Sequence, residues 1–208
     1  HETRYEYRIA AFDFCQNFFN YSNVSSNILL NAYQDSEEYL SILKWSPYET
    51  WNGGISNYRI FRSIGGDVGY SPLTTLNSND TFHEDDVFDL IETHGEFCYY
   101  IEAWENTNSF GRADTVRSNI ACAVQEPLLW IPNAFVVGGH NDIFKPVAGY
   151  LDFDRYQMQI FNRWGKEVFF SNSIDVGWNG YHNGKIAPEG SYIDVITCSA
   201  GNGRTIEE

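Results

Sequence analysis

At 208 residues and 43% hydrophobic, the chain has length for one or two domains and material for a substantial core. Aromatics reach 17% against a single Met, which favours rigid cores of Tyr, Phe and Trp with β-branched partners. Thirteen basic against 28 acidic residues give a net charge of −15, which excludes nucleic-acid partners and anionic membrane surfaces, and no apolar run reaches the roughly 20 residues of a spanning helix.

The chain starts at His1 with neither a basic n-region nor an apolar h-region, so no export signal is visible. Its first residues read as the inside of a domain because they recur. Arg8-Ile9-Ala10-Ala11-Phe12 is echoed by Tyr100-Ile101-Glu102-Ala103-Trp104, and Ser26-Asn27-Ile28 by Ser118-Asn119-Ile120. Both pairs lie 92 residues apart (8 to 100, 26 to 118), a period that suits tandem β-sandwiches of about 100 residues each.

Strand signals fill the period. Leu43-Lys44-Trp45 runs up to Pro47, and Tyr58-Arg59-Ile60-Phe61-Arg62 alternates. Phe97, Tyr99, Ile101 and Ala103 alternate with Cys98, Tyr100, Glu102 and Trp104 as a strand between two environments does. Asn52-Gly53-Gly54 and Gly65-Gly66-Asp67 supply turns, and no helical period survives beyond about two turns. With Trp45 as an early-strand core residue, Tyr99–Ala103 as the penultimate strand and Ser118-Asn119 opening the last, the middle of the chain resembles a fibronectin type III domain. The expected fold class is all-β, in tandem immunoglobulin/fibronectin-like β-sandwiches. Residues 1–30 are then the partial C-terminal hairpin of a preceding copy, residues 31–127 a full sandwich, and 131–208 a further one. Leu128-Leu129-Trp130-Ile131, between Pro127 and Pro132, reads as a stiff extended link with Leu129 and Trp130 packed at a domain interface.

Of the four cysteines, Cys98 and Cys122 fall on strands predicted to be neighbours. A disulfide there is favoured over two reduced buried thiols, while Cys15 and Cys198 have no evident partner. His83-Glu84-Asp85-Asp86 is the densest group of possible ligands. Consecutive residues on an extended chain point to opposite faces, so a solvated acidic loop is expected and no metal site. No Gly-x-Ser-x-Gly elbow, P-loop or His-Glu-x-x-His occurs, so neither a catalytic residue nor a cofactor is assigned. Asp114-Thr115-Val116 resembles a short bacterial O-glycosylation motif, making Thr115 a candidate.

Five motifs follow in order after residue 130: Ile131-Pro132-Asn133-Ala134-Phe135, Asn141-Asp142-Ile143-Phe144, Phe161-Asn162-Arg163-Trp164-Gly165, Gly177-Trp178-Asn179-Gly180, and Pro188-Glu189-Gly190-Ser191-Tyr192. Ile131–Phe135 reads as a first strand, Tyr156, Met158 and Ile160 as one face of another, and Gly190–Ile196 as a third. Asn162–Gly165, Gly177–Gly180 and His182-Asn183-Gly184-Lys185 read as turns. Phe144 is an anchor, and Phe161, Trp164 and Trp178 are each expected in the core. Together these motifs resemble the gliding motility-associated C-terminal domain, a type B sorting domain of type IX secretion in Bacteroidetes. The resemblance implies a non-enzymatic sorting module on a secreted, surface-attached protein. Its partners would be type IX secretion components: a PorP/SprF-like outer-membrane barrel and the translocon, without direct membrane insertion. Two departures stand out. Val136–His140 shortens the loop before Asn141-Asp142, and the chain stops at Glu207-Glu208, after the turn Gly201-Asn202-Gly203, where the family has one more strand, leaving an open edge. The alternative reading is an adhesin module that binds glycan or protein through exposed Tyr and Trp on one sheet face.

Overall fold

The computed structural model describes residues 3–65, 69–200 and 205–207. The turns expected at Gly65-Gly66-Asp67 and Gly201-Asn202-Gly203 fall wholly or partly outside these. The chain divides into two compact units, His1–Asp86 with Phe97–Ala123 and Val87–Glu96 with Val124–Glu208. The described residues are strands and loops, with one turn of 3-10 helix at Phe88–Leu90.

The first unit opens with a hairpin of β1 (Glu6–Tyr7), β2 (Ala10–Phe12), β3 (Phe18–Tyr21) and β4 (Ser25–Ser26), in which β1 pairs with β4 and β2 with β3. A sandwich follows. One sheet holds β5 (Leu30–Asp35), β6 (Leu40–Trp45) and β9 (Phe82–Asp86) in that order. The other runs β11–β10–β7–β8 over Thr115–Arg117, Glu96–Glu105, Ile55–Ile64 and Ser71–Asn77, with β12 (Ala121–Val124) also on β10. Alternation along β10 builds the core: Phe97, Tyr99, Ile101 and Ala103 are all 0% exposed. They share it with Leu30, Leu43, Trp45, Tyr58 and Ile60, and the Trp45 and Tyr58 rings meet edge-on at 5.7 Å.

The acidic segment is a strand, not a solvated loop. On β9 the period of two sends Asp85 inward while Glu84 and Asp86 remain exposed. Asp85 is buried because it is answered: Arg62 Nη1 donates to both its oxygens at 2.9 and 2.8 Å, and the Tyr99 hydroxyl donates at 2.8 Å. Burial, then the Asp85 charge, pushes the Tyr99 phenol far above its ordinary value. The stability this carries is complete below the unfolded phenol's pKa of about 10 and declines as pH rises past it. Urea titrations of the wild type should therefore show the sandwich weakening above pH 10, and Tyr99→Phe should flatten that decline. An equal slope in the variant would refute the linkage.

The expected last strand is broken into β11 and β12 at Ser118–Ile120, and the break explains the repeat. Ser118 N–H donates to Ile101 C=O at 2.9 Å, while its hydroxyl accepts from Ile101 N–H at 2.9 Å and donates to Asn119 C=O at 2.6 Å. In the first hairpin the same three bonds join Ser22 to Ile9 and Asn23, at 2.8, 2.9 and 2.7 Å. The outgoing strands are thus related by 92 residues (9 to 101), but the returning strands by 96 (22 to 118). The sequence match of Ser26-Asn27 to Ser118-Asn119 is off by four residues because the second hairpin has the longer tip. Cys98 is joined to Cys122 across β10 and β12, closing a separation of 24 residues. Loop-closure entropy makes such a bond worth about 3 kcal/mol. Cys15 lies exposed at the hairpin tip, and Cys198 is buried in the second unit.

In the second unit β13 is Leu128–Trp130, antiparallel to β14 (Val147–Gly149). The segment read as a stiff link is therefore a strand of this unit, with Leu129 on its core and Trp130 63% exposed. Ile131–Phe135 is not a strand, since Pro132 has no N–H with which to extend the β13 ladder. The main sheet is β16 (Glu167–Ser171), β15 (Leu151–Phe161), β19 (Ile193–Ala200) and β20 (Thr205–Glu207), and a short hairpin joins β17 (Tyr181–His182) to β18 (Lys185–Ile186). The predicted strand from Gly190 starts only at Ile193. The edge expected to stand open carries β20, paired through Cys198↔Ile206. Phe144, Leu151, Tyr156, Met158, Ile160, Trp178, Ile196 and Cys198 form the core. The segment 87–96, placed by sequence in the middle domain, belongs here. Tyr150 N–H donates to Ile91 C=O and its buried hydroxyl to Val87 C=O, both at 2.8 Å.

A candidate docking cleft

The five motifs divide into a buried clamp and an exposed rim. In the clamp, Phe144 and Trp178 exchange backbone N–H···O=C bonds of 2.8 and 2.9 Å, while Trp178 Nε1 donates to Tyr181 C=O at 3.0 Å. Phe135 packs on both rings, at 6.0 Å from Phe144 and 5.4 Å from Trp178. Gly177 is required because a Cβ would lie 2.7 Å from Phe144 C=O. Gly180 is buried, at φ +78°. Pro132 is buried too, Asn133 and Ala134 are exposed, and the exposed Asn141 ties the first two motifs by donating to Ala134 C=O at 3.2 Å. Asp142 is exposed beside it.

The rim forms where three turns meet. The β15–β16 turn is locked by Asn162. Its side-chain oxygen accepts from Trp164 N–H and Lys166 N–H at 3.0 and 3.1 Å, Gly165 N–H donates to its C=O at 2.8 Å, and Gly165 takes φ +74°. Asn183 and Gly184, both at positive φ, turn β17 into β18. Pro188–Tyr192 is closed by the Tyr192 hydroxyl, which donates to Pro188 C=O at 2.7 Å. Between the three lies an open cleft of about 360 Å³ bordered by Arg163, Trp164, Lys185, Ile186, Pro188 and Tyr192. Tyr192 also packs edge-on against Trp178 at 4.9 Å, so the rim rests on the clamp.

Trp164 corrects the core expectation directly: it is 73% exposed, whereas Trp178 is 2% exposed and Phe161 half-buried. Strand alternation that buries Met158 and Ile160 stops at the turn, and position 164 projects outward from its tip. Arg163 lies over the Trp164 ring at 4.4 Å. An exposed indole and guanidinium on a turn with its geometry fixed is the composition of a protein-binding hot spot. The lining residues His182, Lys185 and Ile186 went unassigned by sequence, although Asn183-Gly184 signalled the turn that delivers them. His182 Nδ1 meets Val168 C=O and its Nε2 meets Asn183 Nδ2, each at 3.0 Å, so both ring nitrogens are engaged. Exposed Arg163 and Lys185 border the cleft together with exposed Glu189.

On the β11–β10–β7–β8 sheet of the first unit the aromatic side chains are covered, whereas those of the β1–β4 hairpin, Tyr5, Tyr7 and Phe12 among them, are exposed. Tyr100 stacks on Phe61 at 4.7 Å and is only 9% exposed, with Arg117 over it at 3.3 Å, while Arg59 covers Trp104 at 3.8 Å. Cys98 and Cys122 are bonded to each other and are therefore not thiolate ligands. Thr115 is exposed at the start of β11.

Residues 129–207 match the family model described as CHU_C Type IX secretion signal domain. No curated protein sequence matches the chain. Similar solved structures include pectate lyase Pel3 of Pectobacterium carotovorum (18% identity, TM-score 0.37, 51% of this chain and 31% of that one). The chain thus spans under a third of that enzyme. Others are a Fn3-like protein of Clostridium thermocellum (25%, TM-score 0.33, 48% of this chain and 90% of that one) and the FN1-FN3 domains of chicken CNTN1 (14%, TM-score 0.33, 99% and 75%). TM-scores of 0.33 to 0.37 carry nothing about activity.

Proposed function

We propose, from the premise that residues 129–207 form a C-terminal type IX sorting region, that this unit delivers its polypeptide to the cell surface by docking through the Arg163–Trp164 cleft. The partner in this reading is an outer-membrane barrel of the PorP/SprF kind that passes the protein from the translocon to attachment outside. The fibronectin-like sandwich serves as spacer, a role of display rather than chemistry. Thr115, exposed on that spacer, is where a glycan would sit. The observation that carries the docking site is the exposure of Trp164 on a turn that Asn162 holds from three sides. A large aromatic side chain held on a rigid turn at the border of an open cleft supports a partner that covers it.

The test is Arg163→Ala with Trp164→Ala in the exported protein, read as surface display by protease accessibility of intact cells. Loss of a hot-spot pair should cut display about tenfold or more, while the melting temperature of the purified variant stays unchanged. Undiminished display would overturn the docking site. An unfolded variant would make Trp164 structural.

A further inference from the structure

The hairpin β1–β4 repeats the β10–β12 hairpin at its Ser22 and Ser118 bonds and in pairing Ala10 with Tyr21 and Ala11 with Asn20 as Glu102 pairs with Arg117 and Ala103 with Val116, yet the two differ in burial. Tyr5, Tyr7 and Ile9 are 56%, 58% and 74% exposed, while the residues 92 further along, Phe97, Tyr99 and Ile101, are each 0% exposed. Ala11 and Ala103 show the same contrast. The equivalence reaches the tips, where Asp13 donates its N–H to Asn17 C=O and accepts from Asn17 N–H with its carboxylate, as Glu105 does with Asp114. What buries the second face is the sheet β5–β6–β9, through Leu30, Leu43 and Trp45. Nothing described in the first unit plays that part for Tyr5, Tyr7 and Ile9, although a two-stranded ribbon needs a packed face to persist in water.

We infer that the Tyr5–Tyr7–Ile9 face is the inner face of the last two strands of another sandwich, and that its occupant is a three-stranded sheet formed by polypeptide N-terminal to His1. The occupant's chemistry follows from the complete copy: an apolar, Leu- and Trp-bearing sheet face, plus an extended first strand with free backbone groups. Asn119, next after Ser118, takes such a strand by accepting from Leu30 N–H at 2.8 Å and donating to Leu30 C=O at 2.9 Å. Asn23, next after Ser22, stands at the equivalent position, where its amide here donates to Thr50 C=O at 3.1 Å. A second copy of this chain is the weaker occupant, because it would oppose one two-stranded ribbon to another and supply no third strand to Asn23.

The experiment compares the natural polypeptide that includes residues before His1 with the 208-residue chain. Hydrogen exchange of amides 5–12 should be slowed by about a hundredfold or more in the longer protein, and hydroxyl-radical labelling of Tyr7 should fall with it. Ile9→Asp should abolish one unfolding transition of the longer protein and leave the melting of the shorter one unchanged. Equal exchange and labelling in both would overturn the inference. So would protection that depends on protein concentration and tracks a dimer in sedimentation, since the occupant would then be a second copy.

Discussion

Removing residues 124–208 from the exported protein should reduce its surface display to background, and grafting 124–208 onto a foreign protein routed to the periplasm should bring that cargo to the surface. The boundary matters more than the motifs suggest. A graft starting at residue 131 discards β13, leaving the β14 edge unpaired and taking Leu129 off the core. Both grafts lack Val87–Glu96, which meets Tyr150 through two hydrogen bonds of 2.8 Å and packs Ile91 against Gly149, so β13 alone distinguishes them. Grafts from 131 should therefore be degraded or displayed less than grafts from 124, measured as surface-accessible cargo per total cargo. Display no better than from cargo alone, from a 124–208 graft and from one that also carries 87–96, would remove the sorting role. Equal success of both grafts would keep that role and show that β13 contributes nothing to it.

How much of this was legible in the sequence depends on whether the deciding force is local. Periodicity two is local, and it located the cores of β10 and β15 because each inward residue is read from its own neighbours. At residues 83–86 composition overrides that signal and suggests a solvated loop, whereas the segment is the strand β9. Asp85 is buried only because Arg62 and Tyr99 reach it from strands 23 and 14 residues away in sequence, a nonlocal compensation that no window reveals. The repeat was visible at 92 residues but misaligned on its returning strand, since matching Ser-Asn pairs occur at both Ser22-Asn23 and Ser26-Asn27. Only the hydroxyl bonds to Ile9 and Ile101 say which is equivalent. Pro132 could be read as a permitted strand start or as the point where a strand stops, and the β13 partner at 147–149 decides for the second. The cleft was illegible for a related reason. Its rim comes from three turns spread over residues 162–192, and sequence offered each turn separately without their convergence.

Trp178→Ala should unfold most of the second unit, in direct contrast to Trp164→Ala, although both residues sit in motifs of the same resemblance. Trp178 is 2% exposed, its ring lies against Phe135 and Tyr192, and its indole N–H satisfies Tyr181 C=O. Truncating a buried Trp to Ala costs about 3–5 kcal/mol through lost transfer energy and the cavity left behind. Against a total stability of about 5–15 kcal/mol for a domain, that loss moves the urea midpoint down by about 2 M or removes the transition. Trp164, at 73% exposed, gives up almost no buried area, and its removal should stay within about 0.5 kcal/mol of wild type. Circular dichroism in urea on the two single variants separates the roles. Similar destabilisation by both would mean that the Trp164 ring is a structural element, and the docking cleft would lose its principal support.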